Sequence, residues 1–177
     1  MSGFQPVSEE IVFEGWILRV AKGRFQAPDG SEFERDIVHH PGAVAAVPII
    51  DGDIIMVRQY RAALDALMIE IPAGLRDVEG EPERETARRE LIEEIGFDAA
   101  TLEHLTTIHN SVGFSDESIS IFIASGLHPV EREVTDSPEE QAMEILRVPL
   151  SEAEAMIQRG EITDAKTVIG VLAALRR

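Results

Sequence analysis

Arg89-Glu90-Leu91-Ile92-Glu93-Glu94-Ile95-Gly96-Phe97 is the stretch on which the fold turns. It closes a longer segment, Pro82 to Ile95, in which Ala87, Leu91 and Ile95 recur every four residues and make the apolar stripe of a helix. Gly96 stops that helix, because glycine adopts the left-handed cap conformation without steric cost. Glu90 and Glu94, four apart, stand one above the other at the border of the stripe, and Glu93 points to its edge. Stacked carboxylates repel, and all three lie late in the helix, where the macrodipole disfavours negative charge. One reading is an exposed acidic face paired with neighbouring arginines. The stronger reading is compensation by a divalent cation, and an all-oxygen site suits Mg²⁺ or Mn²⁺ rather than zinc.

Upstream, the chain reads as strands. Ile11 to Val20 is apolar-rich around Gly15; Pro28-Asp29-Gly30 is a turn, and Phe33 to His39 alternates on its far side. Pro41-Gly42 breaks the pattern. Ala43 to Ile50 and Ile54 to Tyr60 flank the hairpin signal Asp51-Gly52-Asp53, and Leu67 to Ile71 is a short strand ended by Pro72-Ala73-Gly74. Downstream, Leu102 to His109, Ser118 to Ala124 and Met143 to Val148 read as strands. Ser151 with Glu154 forms a capping box that opens a helix ending near Gly160. Thr163-Asp164 caps a last helix to Leu175, with Arg176 and Arg177 set against its negative end. The expectation is an α/β domain over 41–177 preceded by a small antiparallel β piece over 1–40.

The 177 residues suit one well-cored domain, and 44% hydrophobic with 28% charged residues is ordinary globular composition. Sixteen Lys and Arg against 33 Asp and Glu leave a net charge of −17, which argues against a nucleic-acid partner. The absence of cysteine excludes a disulfide framework and thiolate-bound zinc. Ala43 to Ile50, the longest apolar run, falls far short of the roughly 20 residues of a membrane span, and no basic segment followed by an apolar core opens the chain. A cytoplasmic protein without a membrane partner is expected. The five histidines, His39, His40, His104, His109 and His128, show no metal-ligand spacing.

The nine residues resemble the core of the Nudix box. That pattern runs Gly, five residues, Glu, seven residues, Arg-Glu, an aliphatic, one residue, Glu-Glu, one residue, Gly, and an aliphatic or aromatic. Glu81 sits eight positions before Arg89, as the pattern asks, whereas Gly74 lies seven before Glu81 instead of six. The extra residue falls between Leu75 and Gly80, in a loop that absorbs it at little cost. Further segments resemble the ADP-ribose pyrophosphatase subfamily: His40 to Val44, Gln59-Tyr60-Arg61, Glu70 to Gly74, Gly113 to Glu117, Gly160-Glu161-Ile162 and Asp164 to Thr167.

The resemblance implies an α/β/α sandwich with a mixed sheet and a homodimer that hydrolyses ADP-ribose to AMP and ribose 5-phosphate with Mg²⁺ or Mn²⁺. By the same resemblance, Glu90, Glu94 and the Ala73 carbonyl bind metal, Glu93 lies in the outer part of the site, and Arg89 holds the glutamates in place. Arg61 and Arg35 match positions that hold the diphosphate or terminal ribose, and Trp16 the aromatic against adenine. Asp136 to Glu140 reads as a loop just before a strand, and Glu139 on it falls where the subfamily carries the base that activates water, with Glu140 one position on. Glu117, on the loop after the box, is a substrate-binding candidate and the rival base. Two other readings differ in activity: a Nudix enzyme for another nucleoside diphosphate derivative, such as GDP-mannose or NADH, and an inactive ligand-sensing domain. The intact Arg89, Glu90, Glu93 and Glu94 argue against the latter.

Overall fold

The computed structural model describes residues 3–132 and 137–177, apart from the Glu140 side chain. The chain divides into two compact units, Met1–Gly42 with His109–Ser118, and Ala43–Ile108 with Ile119–Arg177.

In the first unit, β1 (Gln5–Glu14), β2 (Arg19–Gln26) and β3 (Glu32–His39) pair antiparallel in that order. Ile11 to Val20 is therefore not one strand. The Gly15 N–H donates to the Leu18 carbonyl at 2.9 Å and closes a tight turn, so the apolar run is shared between two strands. Pro28-Asp29-Gly30 turns as expected: Asp29 Oδ1 accepts from the Ser31 N–H at 3.0 Å and from its hydroxyl at 2.7 Å. The 109–118 segment joins this unit through Val38, whose N–H donates to the Phe114 carbonyl at 2.7 Å and whose carbonyl accepts from the Asp116 N–H at 3.1 Å. His39 cross-links three parts of the unit. Its Nδ1 lies 2.6 Å from Asp116 and its Nε2 3.1 Å from Glu9 of β1.

The second unit is built on a seven-stranded sheet. Its elements in chain order are β4 (Ala43–Ile50), β5 (Asp53–Arg61), β6 (Ala66–Glu70), β7 (Ala73–Leu75), α1 (Glu83–Ile95), β8 (Phe97–His109), β9 (Ser118–Pro129), α2 (Pro138–Gln141), β10 (Glu144–Pro149), α3 (Leu150–Gln158) and α4 (Ala165–Ala174). Strand order is β10-β5-β4-β9-β8, with β6 on β5 and β7 on β4; the β4–β9 pair is parallel, so the sheet is mixed. β4 explains its own composition. Val44 and Ala46 face α1 with Leu91 and Ile95, whereas Ala43, Ala45 and Val47 face α3 and α4 with Ala153, Met156 and Val171. A strand covered on both faces has no polar side to show in its sequence. The expected α/β/α sandwich is the architecture found.

The box helix ends as its sequence requires, with Gly96 at φ 69° and its N–H on the Ile92 carbonyl. Four local expectations are corrected. β8 and β9 run from Phe97 and to Pro129, beyond the spans read from apolar residues alone, because the Val130 N–H donates to the Gly96 carbonyl at 2.9 Å and ties these ends together, with Phe97, Ala99 and Leu127 packed in the core. The segment expected as a loop around Glu139 carries α2, since a proline followed by Glu-Glu-Gln suits a first helical turn; Asp136 lies outside the described residues. The Ser151–Glu154 capping box does not form: β10 runs through Pro149 directly into α3, and the Leu150 N–H is taken by the Gly52 carbonyl at 3.2 Å. Arg177 does not serve the end of α4; its guanidinium forks onto Glu103 at 3.0 Å for both contacts. Asp164 does cap α4, accepting from the Thr167 N–H at 3.0 Å. No helix among the described residues is long and apolar enough to cross a membrane.

His39 makes the first unit pH-sensitive. The hydrogen bond to Asp116 is the main cause holding its pKa above 6.5, partial burial opposes it, and Glu9 adds to the rise. A raised histidine stabilises fully below its unfolded pKa, and that contribution is lost as pH rises through the folded value. NMR titration of the His39 ring should give a pKa above 6.5 in the native protein and a clearly lower one after Asp116→Asn; an unchanged value in the variant refutes the clamp.

Candidate active site

All the box carboxylates belong to the second unit, and the sheet brings a backbone segment onto them. β7 pairs with β4 in the register Val44–Gly74 and Ala45–Ala73, which lays Ala73-Gly74 along α1. The Ala73 N–H donates to Glu94 Oε2 at 3.0 Å. Gly74 lies against Glu90 so closely that a Cβ there would stand 2.0 Å from the Glu90 carboxyl carbon and 2.1 and 2.3 Å from its oxygens. The glycine is required by space, not by backbone conformation.

The two carboxylates sit in different electrostatic surroundings. Glu94 is buried at 6% exposure. Burial pushes its carboxyl up to about 8, the Glu90 charge adds to the rise, and the Ala73 N–H, Arg61 and Lys166 only partly offset it. Glu90 is held by Arg89, whose Nη1 lies 2.9 Å from Glu90 Oε1 and 3.0 Å from Glu93 Oε2. The other terminal nitrogen of Arg89 reaches Asp77 at 3.4 Å and Glu81 at 3.6 Å. One guanidinium thus gathers four acidic side chains, a task its planar fork performs and a lysine point charge does not. The last turn of α1 contains no basic residue, but Arg132 donates from Nε to the Glu93 carbonyl at 2.8 Å and meets the negative helix end from outside. Glu81, Glu85, Arg88, Arg89, Ile92 and Glu93 line a cavity of about 360 Å³. Glu81 Oε2 is buried there without a hydrogen-bond partner.

Among the described residues no three His, Asp or Glu side chains converge into a ready-made cation cage. Mg²⁺ does not need one, because it is commonly held by one or two carboxylates, with substrate phosphates and water completing its six ligands. Glu90 and Glu94 fit that partial set: two oxygen-donor groups in a low-dielectric place, whose repulsion and desolvation a divalent cation would offset.

Arg61, at the end of β5, is engaged rather than free. Its Nε and Nη2 each donate at 2.7 Å to the two oxygens of Glu70, a bidentate fork. Burial alone would raise the Glu70 carboxyl, but the Arg61 hydrogen bonds and the Lys166 charge hold it down at about 2. Lys166 Nζ lies 2.5 Å from Glu70 and 3.1 Å from Asp164. Glu70, Asp164 and Lys166 fall in segments that carry the resemblance, but they are not brought together from sequence as a cluster with a site role. Its signal was present: Lys166 is the single charged residue of an otherwise apolar helix, and Glu70 interrupts an apolar strand. Glu139 is exposed on α2, and its charge bears on Tyr60 of β5, whose pKa is raised chiefly by a hydrogen bond to Asp65. The Glu140 side chain lies outside the described residues.

Trp16, Arg35 and Glu117 belong to the first unit. Trp16 stands at the β1–β2 turn, 97% exposed. The Arg35 guanidinium lies 4.8 Å above the Phe33 ring. It borders an aromatic cavity of about 280 Å³ formed with Phe4, Phe25, Phe33 and Phe114. Glu117 accepts from Asn110 Nδ2 at 3.3 Å and lies 3.9 Å from His40 Nδ1.

Against known proteins, the family model described as NUDIX domain matches residues 39–169. A Mycobacterium tuberculosis protein named ADP-ribose pyrophosphatase is 40% identical over 171 residues, covering 96% of this chain and 82% of its own. A Bacillus subtilis protein of the same name is 37% identical over 166 residues, 93% of this chain and 89% of its own. A crystal structure described as an ADP compounds hydrolase superposes with a TM-score of 0.85 at 24% identity, over 98% of this chain and 92% of that one. That last likeness concerns the fold alone.

The Gly74–Glu90 contact gives a direct test. Gly74→Ala should leave thermal stability nearly intact, because the end of a flexible glutamate can swing aside. It should nevertheless weaken Mn²⁺ binding, followed by electron paramagnetic resonance, about ten-fold or more, the size seen when groups supporting metal ligands are altered. Unchanged Mn²⁺ affinity would show that Glu90 is not a ligand in the position it occupies.

Proposed function

We propose, since the chain belongs to the Nudix family, that it hydrolyses the diphosphate bond of ADP-ribose to AMP and ribose 5-phosphate with Mg²⁺ or Mn²⁺. The observation that carries this reading is the Glu90–Glu94 pair, Glu94 buried and Glu90 half-buried, against Ala73-Gly74, in a chain similar along nearly its whole length to ADP-ribose pyrophosphatases. A bound divalent cation supplies charge neutralisation on the diphosphate and lowers the pKa of the attacking water. Glu90, Glu94 and the Ala73 carbonyl would hold it, and Arg89 fixes Glu90 and Glu93 in register. The water oxygen bonds to one phosphorus while the bridging P–O bond breaks, so each product leaves with one phosphate. Glu139 takes the proton from that water, with Glu140 and Glu117 as rivals.

Arg35 supplies forked donors to the diphosphate or terminal ribose, Arg61, whose Nε and Nη2 are taken by Glu70, supplies its remaining terminal nitrogen there, and Trp16 stacks on the adenine. Residues 1–40 form the module that carries dimerisation and part of the substrate pocket, and 41–177 the catalytic domain. The working form is a homodimer in the cytoplasm, with Trp16 of one chain closing the adenine pocket of its partner. The wholly exposed β1, with Val7, Ile11, Val12 and Phe13 at 42–57% exposure, supports pairing with a second copy.

A panel of variants assayed with ADP-ribose tests the chemistry. Glu90→Gln and Glu94→Gln each remove one charge at constant volume and should abolish most turnover without unfolding the protein. Glu139→Gln should cost about a hundred- to ten-thousand-fold in kcat at saturating metal, the usual worth of a general base. Full activity of Glu90→Gln, or of the native protein in excess EDTA, removes the metal reading; a near-normal Glu139→Gln beside an inactive Glu117→Gln or Glu140→Gln moves the base.

The shared pocket has its own test. Light scattering should give a dimer mass, and Trp16→Ala should raise KM about five- to a hundred-fold with little change in kcat, since base–aromatic stacking is worth roughly 1–3 kcal/mol. An active monomer rules it out.

A further inference from the structure

We propose that Lys166 and Thr167, in the first turn of α4, are positioning residues that brace the backbone from Glu70 to Ala73 and so set the geometry of the metal-binding pair; the inference rests on the reading of Glu90, Glu94 and Ala73 given above.

Four consecutive residues are each tied to a neighbouring element, Glu70 to two. Glu70 is gripped by Lys166 at 2.5 Å and by the Arg61 fork at 2.7 Å. The Ile71 N–H donates to Thr167 Oγ1 at 2.9 Å. The Pro72 carbonyl accepts from the Ala46 N–H at 2.9 Å, and the Ala73 N–H donates to Glu94 at 3.0 Å. The last two ties belong to the sheet and to the carboxylate pair. The first two come mainly from α4, whose Thr167 hydroxyl is itself oriented by donating to Asp164 Oδ2 at 2.6 Å. Asp164 also forms an ion pair with Lys166 through its other oxygen at 3.1 Å. Capping residue, lysine and threonine thus form one connected unit at the mouth of the segment: Lys166 makes two of these contacts, Asp164 and Thr167 three each.

Stability is a poor explanation for this arrangement. A buried ion pair roughly breaks even against apolar side chains of similar volume, and Lys166 and Glu70 have side chains only 9% and 3% exposed. An apolar pair would fill the space as well. It would not fix the direction of the backbone three residues before Ala73, whose peptide both anchors Glu94 and, on that reading, offers a carbonyl to the cation. Groups that orient metal ligands from behind typically contribute ten- to a hundred-fold in metal affinity.

The test compares Mn²⁺ binding by electron paramagnetic resonance, without substrate, with thermal unfolding of the same proteins. Lys166→Met keeps the apolar stem and removes the charge; Thr167→Val removes the acceptor for Ile71 at nearly constant volume. Val171→Ala, a fully buried position on the same helix, is the control for mere loosening of α4. Both brace variants should weaken Mn²⁺ binding about ten- to a hundred-fold, while Val171→Ala lowers the melting temperature and leaves Mn²⁺ affinity as in the native protein. If Lys166→Met does not fold, Thr167→Val decides alone. Native affinity in the folded brace variants, or an equal loss in Val171→Ala, overturns the inference. A native protein that binds no Mn²⁺ removes the metal reading itself, and this inference with it.

Discussion

Two carboxylates one helical turn apart, the deeper of them almost out of contact with water, impose the demand that the surrounding structure answers. Neither is where a solitary helix would put it. The last turn of α1 faces the negative end of the macrodipole, and Glu94 is desolvated besides. The fold meets this with cations brought from elsewhere, Arg89 from the preceding turn and Arg132 from beyond β9, and with the Ala73 N–H. What these leave unbalanced remains as the high proton affinity of Glu94.

The sandwich exists in service of that placement. β4 is apolar on both faces because one face carries α1 and the other α3 and α4. β7, only three residues long, adds to β4 just where the chain passes from the α4 side, at Ile71, to the carboxylates of α1. A side chain at Gly74 would collide with Glu90, so the contact between helix and strand is as close as two backbones and one carboxylate allow. The sheet fixes the position of the segment, and the first turn of α4 fixes its direction.

Local chemistry was legible in the sequence, and distant pairing was not. The box helix, its stop at Gly96 and the stacking of Glu90 on Glu94 follow from a period of 3.6 and a glycine, and the structure has all three. The hairpin at Asp51-Gly52 and the Asp164 cap are equally local. Ser151 and Glu154 have the right spacing for a capping box, yet β10 feeds α3 through Pro149, and tertiary continuity outweighs a cap worth about 1 kcal/mol. Ile11 to Val20 reads as one apolar-rich stretch around Gly15 because a turn between two apolar strands leaves the apolar run unbroken in sequence. Glu70 and Lys166 are 96 positions apart, and no periodicity links them; only the oddity of each, a charge amid apolar neighbours, marked them.

Glu70 and Glu94 stand at the two ends of one short linkage and receive opposite treatment. Both are buried acids, at 2% and 6% exposure, so desolvation weighs on each. Glu70 has a guanidinium fork and an ammonium within hydrogen-bond distance and keeps its charge down to about pH 2. Glu94 faces a backbone N–H and a like charge, and holds its proton to about pH 8. A chain that has Lys166 and Arg61 at hand, and whose charges do bear on Glu94, nevertheless spends both on Glu70. A covalently attached cation at Glu94 would satisfy the carboxylate permanently and leave nothing for a mobile one to gain. Where charge serves the scaffold the protein supplies its own counter-ion; on the proposed reading, the carboxylate left without one is the place for a divalent cation from solution.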